Sequence, residues 1–98
     1  MAEEECPMER FCKLVGSRWG CLIVKNLMNN DELGFNELLR QLSTNPKTLS
    51  DKLKLLEKNG LVKRRVVNEM PIRVFYSLTE KGRGAARVEE FISKWIKG

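Results

Sequence analysis

Residues 35–73 read FNELLRQLSTNPKTLSDKLKLLEKNGLVKRRVVNEMPIR, and this stretch decides the fold. Phe35, Leu38, Leu39 and Leu42 fall at i, i+3, i+4 and i+7, the spacing of one buried face over two helical turns. Ser43-Thr44-Asn45 interrupts the pattern. Asn45 then suits an N-cap, and Pro46 suits the first helical position, where a missing N–H is tolerated. The helix predicted from Pro46 to Asn59 sets Leu49, Leu53 and Leu56 on one side. At about 100° per residue, Lys47, Asp51, Lys54 and Lys58 lie within about 40° of the opposite direction. Gly60 after Asn59 supplies a left-handed stop. Leu61–Val67 and Ile72–Leu78 have the composition of strands, and Asn68-Glu69-Met70-Pro71 between them is long enough for a hairpin loop.

Outward from this centre, residues 1–5 are a polar chain end. Pro7 begins a first predicted helix, Pro7 to Val15, with Met8, Phe11, Cys12, Leu14 and Val15 as its buried residues, and Gly16-Ser17 breaks it. A second, Arg18 to Asn29, is apolar on several sides (Trp19, Cys21, Leu22, Ile23, Val24, Leu27, Met28), which places it centrally. Leu33-Gly34-Phe35 adds a short strand. In the last strand Val74, Tyr76 and Leu78 share one face, with Arg73, Phe75 and Ser77 on the other. Thr79 caps a final helix, Glu80 to Lys97, whose apolar positions are Val88, Phe91, Ile92, Trp95 and Ile96. The predicted order is α-α-β-α-α-β-β-α, mainly α with a small β-hairpin. That is the order of a winged helix-turn-helix, and residues 1–98 read as one such domain.

Charge follows the same division. From Arg40 to Arg65 there are eight Lys/Arg against two acids, a net of +6, while the whole chain carries +5. The rest of the chain is therefore slightly acidic. A concentrated cationic field attracts polyanions, and duplex DNA, with one phosphate per roughly 1.7 Å of axis, is the densest common one. With 42% apolar residues, 98 residues make one modest core. No apolar run approaches the roughly 20 residues that span a bilayer, and the acidic start lacks the basic and apolar regions of a secretory signal. A cytoplasmic protein with no membrane partner is expected.

An α-helix fits the major groove and presents three or four side chains to base edges. Here the expected recognition set is Asn45, Lys47, Thr48, Ser50, Asp51, Lys54 and Lys58. Asn45 lies nearest phosphate at the helix start, and Lys58 nearest the backbone further along. Asp51 sits awkwardly in an anionic groove, but a carboxylate accepts from a cytosine amino group, and Lys47 or Lys54 can neutralise it. The hairpin adds Lys63, Arg64, Arg65 and Arg73 as a wing for the backbone or minor groove. An edge strand protected by charge explains the same residues without DNA, and a Lys-rich face on a lone helix is ordinary solvated surface. The amphipathic helix before it and the basic hairpin after it favour DNA. The alternative reading is a winged-helix module whose basic surface meets an acidic protein.

Three cysteines and no histidine exclude Cys–His catalysis and leave no metal-ligand spacing, so no metal and no cofactor are expected. No phosphate-binding glycine loop or acid–base pair points to an enzyme. Cys12 and Cys21, set among apolar residues, read as small core residues. Cys6 precedes a helix start with Arg10 in reach, which favours its reactive form, while Glu3, Glu4, Glu5 and Glu9 oppose it. Phe91 and Trp95 can simply close the monomer core, but the first and last helices together offer more apolar surface than one small core is expected to use. Met8, Phe11, Val88, Phe91, Ile92 and Trp95 are the expected dimer contacts. A two-fold dimer would set its recognition helices roughly 34 Å apart, one turn of a pseudo-palindromic duplex.

Cys6-Pro7-Met8-Glu9-Arg10, Gly16-Ser17-Arg18-Trp19 and Phe35-Asn36-Glu37-Leu38 resemble the HxlR-type transcriptional regulators. So do Pro46-Lys47-Thr48-Leu49-Ser50, Leu56-Glu57-Lys58-Asn59-Gly60-Leu61-Val62 and the run from Val74 to Gly82. The last two are shared with MarR-like winged-helix regulators; their combination with the leading Cys-Pro and Gly-x-Arg-Trp is the specific part. The resemblance implies a homodimeric DNA-binding regulator that pairs through its terminal helices. It also implies, for some relatives, sensing of oxidants or electrophiles through the cysteine that here is Cys6. The chain departs from the usual family pattern at Gly20, commonly threonine, and at Phe75, commonly glutamate.

Overall fold

The computed structural model describes residues 6–98, and the polar end expected at residues 1–5 lies outside them. In chain order the elements are α1 (Pro7–Phe11), a π-helical turn (Cys12–Gly16), α2 (Arg18–Met28), β1 (Leu33–Gly34), α3 (Phe35–Leu42), α4 (Pro46–Lys58), β2 (Val62–Val67), β3 (Arg73–Leu78) and α5 (Glu80–Lys97). This is the predicted winged helix-turn-helix. Strand order is β1-β3-β2, antiparallel throughout.

α2 is the hub, as its many-sided apolarity predicts. Ile23, Val24 and Leu27 are buried, and the helix packs against α3, α4, α5 and β3. Around it close Leu38 and Leu42 of α3, the three α4 leucines, Tyr76 and Leu78 of β3, and Ala85 and Ala86 of α5. Its start is set by Ser17, whose Oγ accepts from the Gly20 N–H at 3.2 Å. Gly20 makes this close packing possible, because a Cβ there would run into the Leu14 carbonyl oxygen unless the preceding turn shifted. The absent side chain lets the π-helical turn fold back onto α2.

Two caps fix α3 and α4 against each other. Ser43 takes a left-handed conformation at φ 52° to end α3, and Asn45 Oδ1 accepts from Thr48 N–H at 2.8 Å to begin α4. Gly60, at φ +78°, turns the chain out of α4 into β2. That corner is tied to α5: Thr79 Oγ1 donates to the Gly60 carbonyl, Thr79 N–H donates to Leu61 at 3.0 Å, and Lys81 Nζ donates to Asn59 at 3.0 Å. The wing is therefore anchored at its base by the start of the last helix.

The N-terminal expectation needs correction. The predicted single helix to Val15 is a short α1 followed by the wider π turn, and of its five predicted core residues only Val15 is buried. Met8 and Cys12 are exposed, and Phe11 and Leu14 are half-buried. The wide turn changes the angular spacing of side chains, so a face read at 3.6 residues per turn no longer points one way. Cys21 is also only half-buried.

Candidate nucleic-acid interface

α4 presents its predicted outward face. Leu49, Leu53 and Leu56 seal the inner side, while Lys47, Asp51, Lys54 and Lys58 are exposed on the other. Thr48 and Ser50 lie half-buried on the two flanks of that face, and Asn45 spends its side chain on the cap. Lys47 Nζ stands 3.2 Å from Asp51 Oδ2, so the acid is neutralised along the helix as expected. Between groups this exposed the pair contributes at most a few tenths of a kcal/mol, and a phosphate or base can displace it. Leu55, which sequence reasoning left out, is also exposed beside Asp51. Its helical angle, between the leucine side and the lysine side, is the signal that could have found it.

The wing is less free. Register pairs Lys63 with Ser77, Arg65 with Phe75 and Val67 with Arg73, which puts these residues on one face of the sheet, with Ser77 buried at its base and Lys63, Arg65 and Arg73 exposed. Arg64 pairs with Tyr76 on the opposite face, beyond the edge of the core, and remains exposed. Arg65 is committed to the protein itself. Its Nε and Nη2 donate to the two Glu32 carboxylate oxygens at 2.9 and 2.8 Å, and its guanidinium lies 4.8 Å from the centre of the Phe75 ring. Arg73 approaches the same ring at 5.3 Å. Phe75 thus packs with two guanidinium groups, a role that answers for an aromatic on this face of the sheet.

The hydrogen bonds from Arg65 hold the Glu32 carboxyl below the usual carboxylate range, aided by the charges of Arg65 and Lys63 against a smaller opposing effect of burial. Because the folded value is depressed, the pair's contribution is complete above the ordinary carboxylate value. It is lost as pH falls through the lowered one. Beside the wing, a groove of about 520 Å³ separates Asn36 and Arg40 of α3 from Ile72 and Arg73. Arg40, whose charge was noted but whose place was not, shares this groove with Arg73.

The cysteines divide by environment. Cys6 is exposed at the start of α1, next to Pro7. Cys12, expected in the core, is exposed as well. Cys21 faces Glu89 of α5. Burial pushes its thiol above the ordinary value, the Glu89 carboxylate adds to this, and Lys25 opposes it. Lys25 Nζ is 3.7 Å from Glu89 Oε2, so the three side chains form one small cluster between α2 and α5. Among the described residues no group of His, Cys, Asp or Glu is arranged to hold a metal ion, and no helix is long and apolar enough to cross a membrane.

A capped helix with a cationic outer face, held by a preceding helix and followed by a basic hairpin, defines a winged helix-turn-helix DNA-binding protein. Residues 14–98 match the model of the HxlR-like helix-turn-helix family, and the chain belongs to that family. It is 42% identical over 94 residues to the HTH-type transcriptional regulator YvaP of Bacillus subtilis, covering 94% of this chain and 86% of that protein. Reduced YodB, a transcriptional regulator of the same organism, superposes with a TM-score of 0.80 at 37% identity, over 94% of this chain and 91% of that one. The redox regulator HypR in its oxidized form superposes with a TM-score of 0.80 at 31% identity, over 92% and 93% of the two chains. The protein is a helix-turn-helix transcriptional regulator.

Proposed function

We propose that the protein acts as a homodimer on a pseudo-palindromic duplex site, with α4 in the major groove. Lys47, Thr48, Ser50, Asp51 and Lys54 approach base edges, Asn45 and the start of α4 meet phosphate, and Lys58 meets the backbone. Lys63, Arg64 and Arg73 bring the wing to the backbone or minor groove. The observation that carries this reading is the outer face of α4: four charged side chains exposed opposite a sealed leucine face, on a helix whose ends are both fixed. Dimerisation is supported by the terminal helices, where Met8, Val88, Phe91, Trp95 and Ile96 are exposed together while Phe11 and Ile92 are half-buried.

Selection of genomic fragments by the purified protein, followed by salt titration of the selected duplex, tests the function. The expected result is one preferred sequence with log K falling linearly against log salt, by about 0.9 per neutralised phosphate. Binding without any sequence preference overturns the reading.

A thiol switch at Cys6 completes the proposal. Its support is the exposed position of Cys6 and the relatives, since YodB is known in reduced, diamide-treated and quinone-bound forms. Oxidant is expected to change the DNA affinity of the wild type and to leave Cys6→Ser unaffected. Equal behaviour of the two proteins removes the switch.

A further inference from the structure

Arg65 looks from sequence like one more cation for DNA, yet its surroundings give it another task. Glu32 immediately precedes β1, and Gly34 and Arg65 both pair with Phe75 from opposite sides of β3. The three strands therefore lie abreast at one level, and the Arg65 side chain reaches across β3 to Glu32. The contact is bidentate at 2.9 and 2.8 Å, with the guanidinium also lying over the Phe75 ring at 4.8 Å. The Arg65 side chain is still 56% exposed, but a planar fork held bidentately by a carboxylate and lying over an aromatic ring is better fixed than a single exposed lysine contact. Arg64, one residue away, has no ion pair among the described residues and points from the other face of the sheet. Adjacent arginines are thus in opposite states, one tied down and one available.

We infer that Glu32 is a specificity-determining residue: it withholds Arg65 from phosphate. The inference rests on the DNA-binding reading above. Without the carboxylate, Arg65 becomes a mobile cation beside the interface. Such a cation contacts any phosphate backbone regardless of sequence. Affinity for arbitrary duplex then rises and preference for the chosen site falls.

The test measures salt dependence on the selected duplex and on a scrambled duplex of equal length, for wild type, Glu32→Gln, Arg65→Gln, the double variant and Arg64→Gln. Glu32→Gln is expected to steepen the slope on scrambled duplex by about 0.9, one added phosphate, and to lower the ratio of selected to scrambled affinity. Arg65→Gln is expected to leave the slope at the wild-type value, and Arg64→Gln to reduce it by about 0.9. The double variant is expected to show the slope of Arg65→Gln, because the effect of Glu32 acts through Arg65. A reduced slope in Arg65→Gln alone overturns the inference, since Arg65 would already be on phosphate. Equal steepening by Glu32→Gln with and without Arg65 also overturns it, as a general loss of negative charge. If wild type shows no salt-dependent duplex binding, the DNA-binding reading falls and takes this inference with it. If wild type binds and Arg64→Gln behaves as expected while Glu32→Gln changes nothing, only the role of Glu32 falls.

Discussion

α4 and α5 carry apolar stripes at the same helical spacing and treat them in opposite ways. Leu49, Leu53 and Leu56 are each 1% exposed, while Phe91 and Trp95 are 71% and 74% exposed. The first stripe meets α2 and the sheet. The second lies on the part of α5 beyond Ala86, where α5 has passed the buried contacts made by Gly82, Ala85 and Ala86. Periodicity states that a helix has an apolar face; whether that face is core or interface depends on what the rest of the chain brings to it. The difference also matches the two roles proposed above, since α4 buries its leucine side and exposes its charged one, while α5 exposes its apolar side.

The strongest way to break this contrast is to cut both stripes. Leu53→Ala is expected to cost about 2–5 kcal/mol in urea unfolding, the usual range for a leucine deleted from a sealed core. Trp95→Ala, measured at concentrations where the chain is monomeric, is expected to shift unfolding by less than about 0.5 kcal/mol. Comparable losses at both positions would mean that Trp95 belongs to the monomer core after all.

Next in size is the association itself. Trp95→Asp is expected to weaken the dimer by at least about 2 kcal/mol, roughly thirtyfold in dissociation constant, as read by analytical ultracentrifugation. The wild-type unfolding midpoint should rise with protein concentration and that of the variant should not. A monomeric wild type would leave the α5 stripe without its proposed partner.

The outer side of α4 gives a smaller effect. Lys54→Gln is expected to lower the slope of log K against log salt by about 0.9 if it touches phosphate, or to relax preference at one base if it touches an edge. Unfolding should be unchanged, in contrast to Leu53 one position earlier. The mildest test concerns the packing between α2 and α5. Because burial and Glu89 hold Cys21 as the thiol, alkylation mapped by mass spectrometry should mark Cys12 before Cys21. Glu89→Gln removes one of those causes and should speed modification of Cys21.

Much of the fold was legible because its signals are local. Asn45-Pro46 announces α4, Gly60 ends it, and the leucine spacing names its inner face, all within fifteen residues or so of chain. The outer face follows by elimination, which is why Lys47, Asp51, Lys54 and Lys58 appear where they were expected. The first helix was misjudged for an equally local reason, a π turn at Cys12–Gly16 that composition does not announce. In the sequence Gly20 stands out only as a departure from the family's usual threonine. Its purpose, room for the Leu14 carbonyl, exists only once the two segments touch.

The sequence by itself determined the order of elements, the cationic face of α4 and the concentration of charge between Arg40 and Arg65, because each depends on spacing along one segment. Only the tertiary structure decided which of those charges are available. Glu32 and Arg65 are 33 residues apart and meet because β1 and β2 flank β3 in one register. The same holds for Cys21 and Glu89, and for the contrast between the buried stripe of α4 and the open stripe of α5. Pairing and burial depend on distant parts of the chain arriving together, and a linear pattern carries no record of that meeting.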